Sequence, residues 1–217
     1  SRNFSVTHLD AARNGLGAPN AEGRAQYQTL RRLGALIDDT KSLRSLDLSG
    51  NAMGPQGVGI VGKALTKNIT IHTVNLSGNE LMGEAPDEDD DPENEEGDPV
   101  FGELNQGLEA LSEVLKKNKF LKVLALRNNR LKAEIEVDGE DDGADTALGK
   151  LLEPLRKYHR LEVLDLSSNE LGPAGARMVA AALLPNKSVT ALDVSDNALG
   201  LQGLGFLGKL LAGNGTL

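Results

Sequence analysis

Three groups of residues in this chain have the types and spacing to do chemistry. Asp87, Asp89 and Asp91 stand at alternate positions, and so do Asp138, Glu140 and Asp142. Alternating carboxylates are how an EF-hand loop supplies its first three calcium ligands. That loop also needs Gly at its sixth position and a bidentate Glu at its twelfth. Counted from Asp87 the sixth residue is Pro92; counted from Asp138 the sixth is Gly143 but the twelfth is Gly149. Each run breaks a requirement, so neither predicts a specific calcium site. The second group is Gly57, Gly59 and Gly62 with its copy Gly203, Gly205 and Gly208. This G-x-G-x-x-G spacing lets backbone approach a pyrophosphate in dinucleotide-binding folds. The third is His8, His72 and His159, of which no two share a helix at ligand spacing, so a zinc site is not predicted. No nucleophile elbow or Walker sequence occurs. The expectation is a chain with no catalysis, cofactor, metal or small-molecule site of its own.

The elements that must position these residues repeat. Leu43, Leu46, Leu48, Asn51 and Met53 recur as Ile71, Val74, Leu76, Asn79 and Leu81. They recur again from Leu121, Leu161 and Val189, and in weaker form from Val6. The starts at 6, 43, 71, 121, 161 and 189 are separated by 37, 28, 50, 40 and 28 residues. A 28-residue unit therefore carries additions of 9, 22 and 12 residues in its first, third and fourth copies. Residues six and three before each start repeat too, as in Leu65 and Asn68, or Leu115 and Asn118.

In L-x-x-L-x-L a short strand points alternate side chains inward. The Asn that follows can hydrogen-bond turn backbone otherwise buried without a partner, so Asn14, Asn51, Asn79, Asn129, Asn169 and Asn197 are expected to stack as a ladder. The rest of each unit reads as helix: Leu104, Leu108, Leu111 and Leu115 keep helical spacing, as do Leu148, Leu151, Leu152 and Leu155. One strand and one helix cannot bury their apolar faces alone, whereas stacked neighbours can. The predicted fold is one α/β solenoid over residues 1–217, a right-handed horseshoe with a parallel inner sheet and outer helices. The glycine runs fall at one offset in the unit, where they would permit close packing of neighbouring helices.

These residues resemble the leucine-rich repeat family, and within it the ribonuclease-inhibitor-like class with 28-residue units. The resemblance covers essentially the whole chain. That class includes Ran GTPase-activating proteins and the repeat regions of NOD-like receptors, and its members are mostly intracellular. The resemblance implies binding of another protein by a scaffold without chemistry of its own. A GTPase-activating domain like the Ran regulator, or the ligand-sensing region of a NOD-like receptor, are the alternatives it implies.

Composition sharpens this. The chain has 23 Lys+Arg against 32 Asp+Glu, a net charge of −9, and no Cys, so disulfides and thiolate chemistry are excluded. Absence of cysteine fits a reducing compartment, and an intracellular, cytoplasmic location is expected. No apolar run is long enough for a membrane helix. The acid is concentrated. Residues 84–98 hold ten acids and no Lys or Arg, among them Asp87, Asp89, Asp91, Glu95 and Glu96. Residues 134–145 hold seven, among them Asp141 and Asp142. Outside them the chain has 23 basic against 15 acidic residues, a net charge of +8. The case against nucleic acid therefore rests on the repeat class and on only six aromatics.

Both acidic insertions follow the Asn-x-Leu step and precede the helix, so they are expected on one rim above the carboxyl ends of the strands. Three readings stand: a solvated loop with no partner, a lure for a partner with a basic surface, or self-association against the basic body of a neighbour. The inner face is predicted to carry Asp10, Asp47, Asn75, Ala125, Asp165 and Asp193, and beside them Ala12, Ser49, Ser77, Arg127, Ser167 and Ser195. Arg127 departs from this small, acidic stripe and, with Asn128 and Arg130, marks a candidate contact region. Asp47, Asn75 and Asp165 are its predicted neighbours on the face. Leu217 falls on the first position of a seventh unit, so further repeats or a cap are expected in the natural protein.

Overall fold

The computed structural model describes residues 5–18, 27–82, 106–133, 143–158 and 160–217. The described residues alternate strand and helix: β1 (His8–Asp10), α1 (Tyr27–Asp39), β2 (Ser45–Asp47), α2 (Gly54–Lys67), β3 (Thr73–Asn75), α3 (Gln106–Lys117), β4 (Val123–Ala125), α4 (Ala147–Leu152), β5 (Val163–Asp165), α5 (Gly172–Leu183), β6 (Ala191–Asp193) and α6 (Gly200–Gly213). The six strands form one parallel sheet in chain order. Equivalent residues pair, so Leu9, Leu46, Val74, Leu124, Leu164 and Leu192 stand in one row. Each helix packs on the helices of adjacent units, α2 most extensively on α3.

The leucine pattern explains the core. Leu46, Leu48, Val74, Leu76, Leu124, Leu126, Leu164 and Leu166 are all buried, and Leu30, Val58, Val61, Leu108, Leu111 and Val179 meet them from the helices. Each such side chain contributes roughly 1.5–3 kcal/mol on burial. In the end strands the same positions are only half-buried, at Leu9 and Leu192, because one stacking neighbour is missing.

The fourth unit departs from the expected continuous helix over Leu148–Leu155. Its α-helix ends at Leu152, and Glu153–Arg156 is a single 3-10 turn. Pro154 is the cause, since it has no N–H to donate and its ring obstructs a continuing α-helix. Leu155 stays buried all the same, so the core row is preserved. Leu104, in the expected helix of the third unit, lies outside the described residues.

A second side-chain ladder runs through the helix-to-strand turns. The Asn118 amide donates to Leu65 O at 2.7 Å and Asn68 O at 2.9 Å, while its Oδ1 accepts the N–H groups of Phe120 and Leu121. Asn68, Asn186 and Asn214 bond the preceding unit in the same manner. In the fourth unit Tyr158 takes the position, donating its hydroxyl to Leu121 O at 2.9 Å. Burial pushes the Tyr158 phenol up to about 12, against the opposing charge of Arg160. A folded-state pKa above the ordinary value of 10.0 means that the stabilisation is complete below pH 10 and is lost as pH rises towards 12. A spectrophotometric titration should show one of the two tyrosines ionising late, with the late step absent in Tyr158→Phe. Both ionising together near pH 10 in folded protein would contradict the burial argument.

Candidate protein-binding face

The Asn residues after each strand hold the inner face in shape. Asn129 donates to Leu126 O in its own unit and to Leu76 O in the preceding unit, both at 3.0 Å. Its Oδ1 accepts the N–H of Asn79 at 2.8 Å. Asn51, Asn79, Asn169 and Asn197 repeat this pattern and all are buried. Asn14 differs: it is exposed, and its amide donates only to Ala12 O, within its own unit.

On the face itself the acidic residues are occupied locally. Asp47 Oδ1 accepts the N–H of Ser49 at 2.8 Å and its hydroxyl at 2.7 Å, and Oδ2 accepts the Asn75 amide at 2.8 Å. Burial pushes the Asp47 carboxyl up, but these hydrogen bonds outweigh it and hold the group below the usual carboxylate range. Asp165 clamps Ser167, and Asp193 clamps Ser195, with the same two bonds. Asn75 accepts the N–H of Ser77. Asp-x-Ser is thus a turn-stabilising pair first, and what remains for a ligand is the outer side of each carboxylate.

The fourth unit lacks the clamp. Ala125 stands in place of the Asp and Arg127 in place of the Ser. The exposed Arg127 guanidinium reaches across the fifth unit, with Nη2 4.0 Å from Asp196 Oδ2 in the sixth. The Asp193 carboxyl, held low first by the Ser195 hydroxyl and N–H, is lowered further by Arg127. In sequence Arg127 lies between the two acidic insertions; in space it is paired with the last unit.

Asn128 and Arg130 are exposed beside it, with φ of 53° and 58°. The same two positions take positive φ in every unit, with Gly50 and Gly78 as the counterparts of Asn128. Asn tolerates this left-handed region better than most residues, so Asn128 is explained by the turn alone. Asp87, Asp89, Asp91, Glu95, Glu96, Asp141 and Asp142 lie outside the described residues, as do Asp138 and Glu140. The chain leaves the described segments after Met82 and Ala133 and re-enters at Gln106 and Gly143, in each case between strand and helix.

One column of the face was missed by sequence reasoning. His8, Ser45, Thr73, Val123, Val163 and Ala191 pair in register at the first position of each strand, on the side of the sheet that carries Asp47 and Asp165. It is polar in the first three units and apolar in the last three. Val123, Ala125 and Val163 therefore form a half-buried apolar patch. Arg127 bounds it on one side, and the Lys122–Glu162 ion pair, 2.6 Å, on the other. The signal was available: a valine at the third residue of the unit, where earlier copies carry His, Ser or Thr.

Among the described residues no group of three His, Asp or Glu side chains could hold a metal, and no helix is long and apolar enough to cross a membrane. The first glycine run meets neighbouring helices, as its offset suggested, whereas in the second run Gly203 alone does, and Gly205 and Gly208 meet nothing within 4 Å. A Cβ on Gly62 would lie 2.8 Å from Ala110 Cβ, and one on Gly57 2.7 Å from Leu30 Cδ1.

An inner parallel sheet, outer helices and two hydrogen-bond ladders define an α/β solenoid of stacked leucine-rich units. A family profile described as leucine-rich repeat matches residues 41–59, 159–180 and 186–208. Those three stretches are leucine-rich repeats, and the 28-residue spacing is consistent with the ribonuclease-inhibitor-like class. No curated protein sequence matches it. Among solved structures it is similar to the tropomodulin C-terminal domain of Caenorhabditis elegans, at 13% identity and a TM-score of 0.56, over 86% of this chain and 92% of that one. It is similar to the leucine-rich repeat protein LegL7 of Legionella pneumophila, at 19% identity and a TM-score of 0.53, over 96% of this chain and 62% of that one. Leiomodin-1 actin-binding site 2 matches at 13% identity with a TM-score of 0.48, over 97% of this chain and 81% of that one. At such identities the likeness shows the fold alone.

Proposed function

We propose that this chain is a non-catalytic, intracellular protein-interaction scaffold whose inner face binds a segment of another protein, centred on the fourth and fifth units. The observation that carries this is the break in the fourth unit. The second, fifth and sixth units carry Asp-x-Ser clamps, but here Ala125 stands in place of the Asp, and Val123, Ala125 and Val163 form a half-buried apolar patch beside Arg127. An apolar patch next to an exposed guanidinium suits a segment with an apolar side chain and a neighbouring carboxylate. The insertions 84–98 and 134–145 act in this reading as an acidic lure that steers a partner with a basic surface.

The two contributions separate kinetically. Arg127→Glu should weaken capture of a partner about tenfold or more, mostly through faster dissociation. Deleting residues 84–98 should slow association and flatten its salt dependence. Unchanged capture by Arg127→Glu sinks the inner-face site, and an unchanged association rate in the deletion sinks the lure. Added to Ran and GTP, the protein should leave hydrolysis at its intrinsic rate; acceleration would replace the scaffold reading with the GTPase-activating one.

A further inference from the structure

We propose that the edge of the solenoid formed by the helix-to-strand turns docks the acidic insertion, residues 84–98, of a second copy of this chain. This rests on the reading that the insertion engages a basic surface, and it names that surface.

The described part of the molecule is charge-polarised. The turns after α3 and α4 present Lys116, Lys117, Lys119, Arg156, Lys157 and Arg160, all exposed. They form one continuous surface, because Tyr158 ties its turn to the turn at Leu121, and Asn118 ties that turn to the one at Asn68. Lys116 and Lys117 share Glu113. Among the described residues no carboxylate lies within ion-pair distance of Lys119, Lys157 or Arg160. Phe120, next to Lys119 in the chain, is 40% exposed on the same edge. The opposite end of the units holds Asp10, Asp47, Glu80, Asp165, Glu170, Asp193 and Asp196 against Arg13, Arg127 and Arg130, an acidic balance, and the insertions start from that end.

The insertion is the strongest complement available in the sequence, with ten acids in fifteen residues and no Lys or Arg. Within one molecule it would have to cross the length of α3, about 18 Å for its twelve residues. That path runs beside the exposed carboxylate of Glu109, which repels it. A second copy meets neither obstacle. Each molecule carries one 84–98 insertion and one such edge, so in a two-fold pair the same contact is made twice. Single-stranded nucleic acid is the competing polyanion. It binds best where several aromatic rings stack bases, and this surface offers one, Phe120.

Sedimentation velocity on the full chain is the test. A dimer should form with rising concentration at about 0.05 M salt and weaken about tenfold or more at 0.5 M. The triple variant Lys119→Glu, Lys157→Glu, Arg160→Glu should remain monomeric, as should the chain lacking residues 84–98. Far-UV circular dichroism checks that both variants keep the fold. Mixed together, the deleted chain supplies the edge and the triple variant supplies the insertion, so a heterodimer should reappear. Monomer at every concentration overturns the proposal, and so does a dimer that survives either change. A salt-dependent compaction without association overturns it in favour of contact within one chain. Tighter binding of single-stranded RNA than of a synthetic 84–98 peptide overturns it in favour of a nucleic-acid edge. Association of another protein slowed by the deletion, in a chain that stays monomeric, would sink self-docking while leaving the lure intact.

Discussion

Replacing Asn129 by Ala is expected to cost about 2–4 kcal/mol. The change strands one buried group, the N–H of Asn79. It also takes the Asn129 amide from the carbonyls of Leu76 and Leu126, which keep the amides of Asn79 and Asn169. Asn129 is fully buried, so the N–H left behind is shielded from bulk water. A buried unpaired polar group costs about 1–3 kcal/mol, and each further lost hydrogen bond about 1 kcal/mol. In a domain of this size the melting midpoint should fall by about 5–12 °C. Asn129→Asp keeps an acceptor but loses the two donated bonds and buries a charge, so it should do no better. The internal control is Asn14→Ala. Its one donated bond is local and exposed, so the loss should stay under about 1 kcal/mol. Equal losses at the two positions would show that the ladder does not carry the stacking energy.

Gly62→Ala and Gly208→Ala should shift stability in opposite directions, although both occupy the same place in the repeat. A methyl on Gly62 meets Ala110 Cβ at 2.8 Å and Ala110 backbone carbon at 3.3 Å, so α2 and α3 must separate. Overpacking of that kind costs about 1–3 kcal/mol, against roughly 1 kcal/mol gained in helix propensity. The net loss should be up to about 2 kcal/mol. A methyl on Gly208 meets nothing within 4 Å. There only the helix preference remains, and α6 should gain about 0.5–1 kcal/mol. Thermal or urea unfolding of the two variants decides it, and a destabilised Gly208→Ala would mean that something covers α6 in solution. The open side of α6 also leaves Leu201 88% exposed and Leu211 61% exposed. The corresponding side of α2 is filled by α3.

Individual residues show how far sequence reasoning reached. Leu46, Val74, Leu124 and Leu164 were placed in one inward row from spacing alone, because strand alternation is a local property of three residues. Asn51, Asn79, Asn129 and Asn169 were assigned to turns because their place relative to the leucines repeats. Asp47 and Asp165 belong to the small, acidic stripe expected on the inner face, and the structure commits each to a Ser two residues on. Arg127 was singled out for its charge, but its partner Asp196 is 69 residues away in sequence and becomes near only once two further units have stacked. Lys119, Lys157 and Arg160 are scattered in the sequence and become one surface only along the turn edge.

What the sequence by itself determined is the repeat: its period, which residues face inward, and where the additions interrupt it. That information is contained within each unit, since apolar alternation and a turn Asn act over a few residues and every copy restates them. Which side chains are left over for a partner was decided by tertiary structure. An Asp on the inner face is spent or available according to its own turn and the unit beside it. A glycine is a packing contact or an empty place according to whether a helix lies over it. Charge forms a surface only when stacking brings turns from separate units to one edge. Those outcomes depend on distances between units, which no single unit encodes.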